Sequence, residues 1–134
     1  MARPAPTARS SALRILNSVL GEGRLMSEVL GTGLLDPLSA PDRARAQRLA
    51  NDTLRGMERA DRLLNRHLRK QPPLSVRNVL RLATVEICMG GDAHGVVNEA
   101  VALVGQDRRT FAMKGLVNAI LRKVADTGQE PWEL

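Results

Sequence analysis

A chain of 134 residues with 43% apolar residues and a net charge of +6 has the size of one globular domain with a basic surface. Only Phe111 and Trp132 are aromatic, so the core must consist of aliphatic side chains, which favours packed helices over a β-sandwich. The single cysteine, Cys88, excludes an internal disulfide and fits a reducing cytoplasm. Its position inside an apolar helical pattern predicts a buried, inert thiol.

Two kinds of targeting segment are not expected. No apolar run approaches the ~20 residues of a membrane span. The N-terminal sequence MARPAPTARSS lacks the apolar core of a signal peptide. These observations predict a cytoplasmic protein without a membrane partner.

Helical periodicity begins early in the chain. Residues 1–6 form a proline-containing arm, and Thr7 can cap a first helix that runs to about Leu20. A short helix is predicted over Leu25–Leu30. Ser39, followed by a proline and an aspartate, favours the start of a long third helix.

The third helix is predicted to continue through Gly56 as far as Gln71, where two prolines stop it. A glycine costs roughly 1 kcal/mol inside a helix, which need not break it. The next helix, Val76–Met89, capped by Ser75, has apolar residues around most of its circumference, which predicts a central position.

Two more helices are predicted within His94–Val124, and Gly128 closes the last of them. Residues 129–134 show no pattern and are interpreted as a tail or the start of a linker. The expected architecture is therefore an all-α bundle of about six or seven helices over residues 7–128.

An arginine stripe is the strongest feature outside the apolar positions. Six arginines recur at spacings of seven, four, three, four and three: Arg48, Arg55, Arg59, Arg62, Arg66 and Arg69. On a continuous helix they fall within a sector of roughly 80°, almost opposite the apolar stripe, in a row on the order of 30 Å long. The guanidinium fork suits phosphates, which favours nucleic-acid contact. The alternative is a solvated face whose arginines extend over neighbouring apolar surface.

The sequence offers no set of residues for catalysis. His67 and His94 are the only histidines, and neither stands at a metal-ligand spacing from a cysteine or an acid. No glycine-rich loop follows a strand, so no cofactor site is predicted. Glu86 and Glu99 are expected to bind backbone amides or an arginine such as Arg81. We expect no catalytic residue, metal ion or cofactor in this chain.

Two segments of the last helices are alike: VVNEAVALV at 96–104 and LVNAILRKV at 116–124. Each places an asparagine after an apolar pair. Asn98 and Asn118 are interpreted as buried amides that bond a neighbouring helix end or loop, with direct ligand contact as the alternative.

These segments carry a family resemblance. VNEAV followed by KGLVNAILRKV resembles the NusB antitermination-factor family, with Asn98, Glu99 and Asn118 as its motif residues. LVNAILR is similar to the NusB-like domain that opens bacterial 5-methylcytosine methyltransferases of small-subunit ribosomal RNA (Sun/Fmu type). Further similarity lies in Ala8-Arg9, in Leu54-Arg55-Gly56 and in Val79-Leu80-Arg81-Leu82, so the resemblance covers roughly residues 8–125.

The resemblance implies a NusB-like bundle that binds RNA partly through an arginine-rich start of its first helix. Only Arg9 matches that motif here, with Arg3 and Arg14 nearby. The family often has an aromatic residue before Val-Asn in the last helix, able to stack on a base, and Leu116 takes that position. These departures predict weak, charge-driven RNA binding with little sequence specificity.

Three functions fit these observations. The favoured one is an N-terminal domain that docks ribosomal RNA for the catalytic domain of an S-adenosylmethionine-dependent methyltransferase in the same full-length chain. LVNAILR and the reduced arginine run point to that branch, and Trp132 would suit a linker that anchors in another domain. The second is a free-standing antitermination factor that binds RNA and a ribosomal protein. The third is a helical protein-interaction module. The predicted RNA-binding residues are Arg9, Arg14, the six of the arginine stripe, and Arg108, Arg109 and Lys114.

Overall fold

The computed structural model describes residues 4–134. Over that range the chain forms eight α-helices and one short 3₁₀ helix, with no strand, which confirms the predicted all-α class. The chain divides into two compact units, the first ending at Asp52 and the second running from Thr53 to Leu134. Arg3 lies outside the described residues.

The first unit contains α1 (Ala8–Gly21), α2 (Met26–Gly31) and most of α3 (Ala40–Arg55). Thr7 caps α1 as predicted: its hydroxyl accepts from the Ser10 amide at 3.0 Å, and the Ser10 hydroxyl accepts from the Thr7 amide at 2.8 Å. The hydroxyl of Ser39 likewise accepts from an amide in the first turn of α3.

The predicted long helix is wrong in its continuity. Gly56 interrupts it with φ −94° and ψ 7°, and a separate helix, α4 (Met57–Asn65), follows. Glycine loses the most conformational freedom of any residue in a helix, and here that cost is avoided by a break. The helical pattern also ends at Asn65, well before the expected stop at Gln71.

The second unit is built around α5 (Leu74–Cys88), which packs against α4, α6 (Ala93–Gly105) and α7 (Lys114–Thr127). Eleven of its residues are buried, as its all-round apolar pattern predicts. The helix begins before Ser75, which therefore does not cap it; Pro73 is the N-cap residue.

Two short elements complete the second unit. A 3₁₀ helix, Phe111–Met113, joins α6 to α7, and α8 (Gln129–Glu133) follows α7. The sequence showed no pattern over 129–134, yet Trp132 in α8 is only 7% exposed. Burial of this aromatic ring helps to dock a single helical turn that propensity alone would not hold.

Candidate nucleic-acid interface

Three arginines of the predicted stripe share one exposed surface on α4. Arg59 and Arg62 lie within the helix and Arg66 is its C-cap residue, and all three side chains are exposed. At 100° per residue they span a sector of roughly 60°. Ala60, Leu63 and Leu64 are buried on the other side. We call Arg59, Arg62 and Arg66 the α4 arginines.

The other stripe arginines do not share this helix. Arg55 is the last residue of α3, and Arg69 lies in the irregular segment after α4. Both are exposed members of the second unit, whereas Arg48 belongs to the first. The row of six on one helix is therefore not formed, because Gly56 and the early end of α4 divide it.

A buried ionic network fixes which side of α4 faces solvent. Asp61 accepts two hydrogen bonds from Arg81 of α5, at 2.8 Å from Nε and 2.9 Å from Nη2. Arg81 also donates to the Asn78 side chain at 3.0 Å. Such a bidentate pair is geometrically specific. It holds Asp61 towards α5 and so leaves the α4 arginines on the outside.

Arg77 is the second cation of this network. It is 7% exposed, and its Nη2 donates to the side-chain oxygens of Asn65, at 2.9 Å, and Gln71, at 2.5 Å. Its Nη1 is 3.9 Å from Asp61 Oδ1. Arg77 thereby ties the end of α4 to the segment that follows it.

The pairing of Asp61 with Arg77 and Arg81 was not predicted from the sequence, which named Arg81 only as one possible partner of Glu86 or Glu99, beside backbone amides. The signal was present, however. Asp61 lies roughly 130° from the middle of the α4 arginines on a helical wheel, and two arginines one turn apart, Arg77 and Arg81, interrupt the apolar pattern of α5. A charge on an apolar face calls for a partner of opposite sign.

The C-terminal helix occupies part of the α4 surface. Arg62 Nη2 donates to the Pro131 carbonyl at 3.0 Å, and Arg59 Cζ lies 5.7 Å from the centroid of the Trp132 ring. Trp132 is thus buried within the second unit. The sequence had instead indicated an anchor in another domain. Arg66 is the α4 arginine that these contacts leave out.

His67 marks a basic corner beside α4. Partial burial, followed by the charges of Lys123 and Arg66, lowers the pKa of His67 below its ordinary value of 6.5. The exposed Lys123 of α7 therefore lies close enough to add positive potential at the end of α4. Lys123 was not among the predicted residues, because only tertiary packing brings it there.

A second basic surface lies at the turn between α6 and α7. Arg108, Arg109 and Lys114 are exposed there. The guanidinium of Arg109 contacts the Asp107 carboxylate at 3.1 Å, and its backbone amide donates to the same side chain at 2.8 Å. This pairing raises the pKa of Arg109. Arg109 is therefore committed to the turn, while Arg108 and Lys114 make no ion pair with any residue in 4–134.

The predicted residues of the first unit are more scattered. Arg14 of α1 and Arg48 of α3 are exposed, and Arg9 near the start of α1 is half-buried. These three residues lie on two different helices, α1 and α3, so the sequence spacing alone does not group them.

The motif asparagines are not the buried amides that the sequence predicted. Asn98 is exposed and contacts His94 Nε2 at 3.3 Å, one turn earlier in α6. Asn118 is partly exposed and accepts from Arg122 Nε at 3.3 Å, one turn later in α7. Both amides face away from the core and bond within their own helices. Glu99 is exposed on α6.

Metal-ligand clusters and membrane-spanning helices are absent from the part of the chain that the structure describes. Residues 4–134 contain no group of three or more side chains that could hold a metal ion, and no helix among them is long and apolar enough to span a membrane. Cys88 is buried, and burial raises the pKa of its thiol to about 11. Its thiol is therefore protonated near neutral pH.

Comparison with known proteins identifies the family and the fold of this chain. The NusB family matches residues 6–126, most of the chain. The chain belongs to the NusB family. A solved structure of T. maritima NusB superimposes with a TM-score of 0.76 at 23% identity, covering 100% of both chains, which confirms the NusB-like fold. The comparison with curated proteins gives no match.

At one position near the start of α7, this chain differs from what its resemblance to the NusB family led us to expect. Leu116, the residue before the second Val-Asn pair, is 41% exposed near the start of α7. The resemblance led us to expect an aromatic residue in this place in many NusB proteins. An exposed leucine offers apolar contact but no π-face to a nucleobase.

Proposed function

We propose that this NusB-family protein binds RNA through the phosphates and contributes no chemistry of its own. The observation that carries the proposal is the exposed basic surface of the second unit: the α4 arginines, with Arg55 and Arg69 flanking them and Lys123 adding charge. The ionic network of Asp61 with Arg77 and Arg81 holds this surface in one orientation. An arginine surface of this kind attracts phosphates by charge and by paired donors.

The salt dependence of binding tests this proposal. Affinity for a fluorescein-labelled single-stranded RNA is measured by anisotropy between about 50 and 200 mM salt, and log affinity is expected to fall linearly with log salt. The double variant Arg66→Gln, Arg69→Gln should make that slope shallower by about 1.4, since each phosphate contact to a single strand contributes about 0.7. Both side chains are exposed, and the printed hydrogen bond and cation–π contact to α8 come from Arg62 and Arg59 instead, so circular dichroism of the double variant should match that of the unmodified protein.

The matched control removes the same charge elsewhere. Arg24→Gln, Arg43→Gln also lowers the net charge by two, at exposed positions of the first unit. It should leave the slope near that of the unmodified protein. Equal effects of the two double variants would mean that net charge alone matters, and absence of any salt-dependent binding would refute the proposal.

Two cellular settings remain candidates for this RNA-binding role. The structural match with T. maritima NusB fits a transcription antitermination factor, with a ribosomal protein as its partner, at least as well as a methyltransferase domain. LVNAILR at 116–122 and the reduced arginine run before α1 favour the RNA-docking domain of a ribosomal RNA 5-methylcytosine methyltransferase. The burial of Trp132 against α4 removes the third reason for the methyltransferase setting. Whether the source reading frame continues past Leu134 into methyltransferase sequence distinguishes the two.

A further inference from the structure

Of the two residues Phe111 and Trp132, which are the Phe, Tyr and Trp side chains of the described range, Phe111 is the one that faces solvent. Its side chain is 54% exposed, whereas Trp132, the other aromatic residue, is 7% exposed. Exposed apolar residues are common on protein surfaces, so exposure alone assigns no role. What distinguishes Phe111 is the rigidity of the turn that presents it and the charge on either side.

The turn is anchored by buried and backbone hydrogen bonds. The Thr110 hydroxyl donates to the Val104 carbonyl of α6 at 2.8 Å, and Thr110 is buried. The Phe111 amide donates to the Asp107 carbonyl at 2.9 Å, and the Met113 amide to the Thr110 carbonyl at 2.8 Å. The Phe111 backbone is thus fixed before any ligand arrives, which reduces the entropy lost on binding.

Two basic residues flank the ring, and neither forms an ion pair with another residue in the range 4–134. Arg108 and Lys114 stand three residues before and after Phe111. The stem of Lys114 lies across the end of α6, where a Cβ built on Gly105 would be 2.9 Å from Lys114 Cδ. Asp107, the acid of this turn, is engaged by Arg109. The ring therefore lies in a region of positive potential. That potential would attract a polyanion, whereas an apolar protein partner would gain nothing from it.

We propose that Phe111 is a stacking platform for an unpaired base of single-stranded RNA, with Arg108 and Lys114 contacting phosphates on either side of that base. Stacking on an aromatic face contributes ~1–3 kcal/mol per base and tolerates any sequence. This proposal rests on the RNA-binding role proposed above and assigns a base-contacting residue within it.

The experiment separates stacking from charge. Single-stranded RNA carrying 2-aminopurine is titrated with the unmodified protein and with Phe111→Leu, Phe111→Tyr and Arg108→Gln. Phe111→Leu keeps an apolar side chain but removes the π-face, and should weaken binding at least about 5-fold with an unchanged salt slope. Phe111→Tyr should retain affinity, and Arg108→Gln should make the slope shallower by about 0.7.

Two further measurements control the result. Quenching of 2-aminopurine fluorescence should accompany binding of the unmodified protein and be lost with Phe111→Leu. Leu74→Ala, which truncates another exposed apolar side chain of the second unit, should change neither affinity nor quenching. Fully duplex RNA should not distinguish Phe111→Leu from the unmodified protein, because its bases are already stacked.

The possible failures are distinguishable. If the unmodified protein binds RNA with a salt slope and Phe111→Leu binds equally well, the stacking role is overturned while the RNA-binding role stands. The same result would leave an apolar protein partner as the use of this ring. If the unmodified protein shows no salt-dependent RNA binding, both proposals are overturned.

Discussion

The guanidinium of Arg59 lies over the indole of Trp132, with Cζ 5.7 Å from the ring centroid. Arg59, one of the exposed α4 arginines, therefore also packs against a buried side chain of α8. The neighbouring Arg62 makes a second contact with α8, a hydrogen bond that its Nη2 donates to the Pro131 carbonyl. The C-terminal helix α8 therefore depends on two contacts with α4 that also occupy part of the basic surface.

The first prediction concerns this docking. Trp132→Ala should lower the free energy of unfolding by about 3 kcal/mol, the lower end for a buried aromatic residue, because a terminal helix can detach instead of leaving a cavity. Arg59→Gln should cost only about 0.5–1 kcal/mol, the contribution of a cation–π contact at a surface. Urea denaturation followed by circular dichroism at 222 nm measures both.

Leu134→Ala is the matched control for this prediction. Its side chain is 88% exposed, so the free energy of unfolding should stay within about 0.5 kcal/mol of the unmodified protein. A loss for Trp132→Ala no larger than that of the control would mean that α8 adds nothing to stability.

The second prediction concerns Asp61. It is the carboxylate shared by Arg77 and Arg81, whose side chains are 9% and 13% exposed. Asp61→Asn keeps the shape but removes the charge that neutralises both guanidinium groups. Breaking a buried pair in this way costs about 3–5 kcal/mol, and we expect the lower end, about 3 kcal/mol, because Asp61 itself is 25% exposed. Chemical denaturation provides the measurement.

Glu58→Gln supplies the comparison on the same helix. Glu58 is exposed, so its neutralisation should change stability by less than about 0.5 kcal/mol. If Asp61→Asn were equally mild, the network would not be what orients α4, and the outward placement of the α4 arginines would need another cause.

Sequence periodicity was sufficient for the fold class because the longer helices carry apolar positions at helical spacing, whereas α8 does not. The capping signals at Thr7 and Ser39 were strong enough to locate helix starts within a residue or two. Gly56 was different. Its cost of ~1 kcal/mol in a helix is comparable to the gain from continuing one, so sequence alone could not decide between a tolerated glycine and a break.

The candidate site depends partly on contacts between helices, which the sequence pattern does not predict. A helical wheel grouped the α4 arginines correctly, since they are local to one helix. Lys123 came to His67, and Trp132 to Arg59, from other helices. The wheel could not foresee those long-range contacts. Nor could it show that Asn98 and Asn118 point outward, because an asparagine is compatible with either side of a helix.

The last prediction is that His67 makes the free energy of unfolding depend on pH. The pKa of His67 in the folded protein lies below 6.5, through partial burial and then the charges of Lys123 and Arg66, while in the unfolded chain it should titrate near 6.5. As pH falls below about 6.5, the unfolded state therefore takes up the proton first. The free energy of unfolding should decrease through this window and level off below the folded-state pKa.

Difference measurements isolate this contribution from the carboxylates that titrate at lower pH. His67→Gln should lose the part of the decrease between about pH 7 and 5 that the imidazole causes, and Lys123→Gln should lose a smaller part, since burial is the larger cause. His94→Gln is the matched control, because that imidazole is exposed and bonded within its own helix. Urea midpoints recorded across this range give the comparison. Parallel pH curves for the unmodified protein and His67→Gln would show that the basic corner beside α4 does not act on His67.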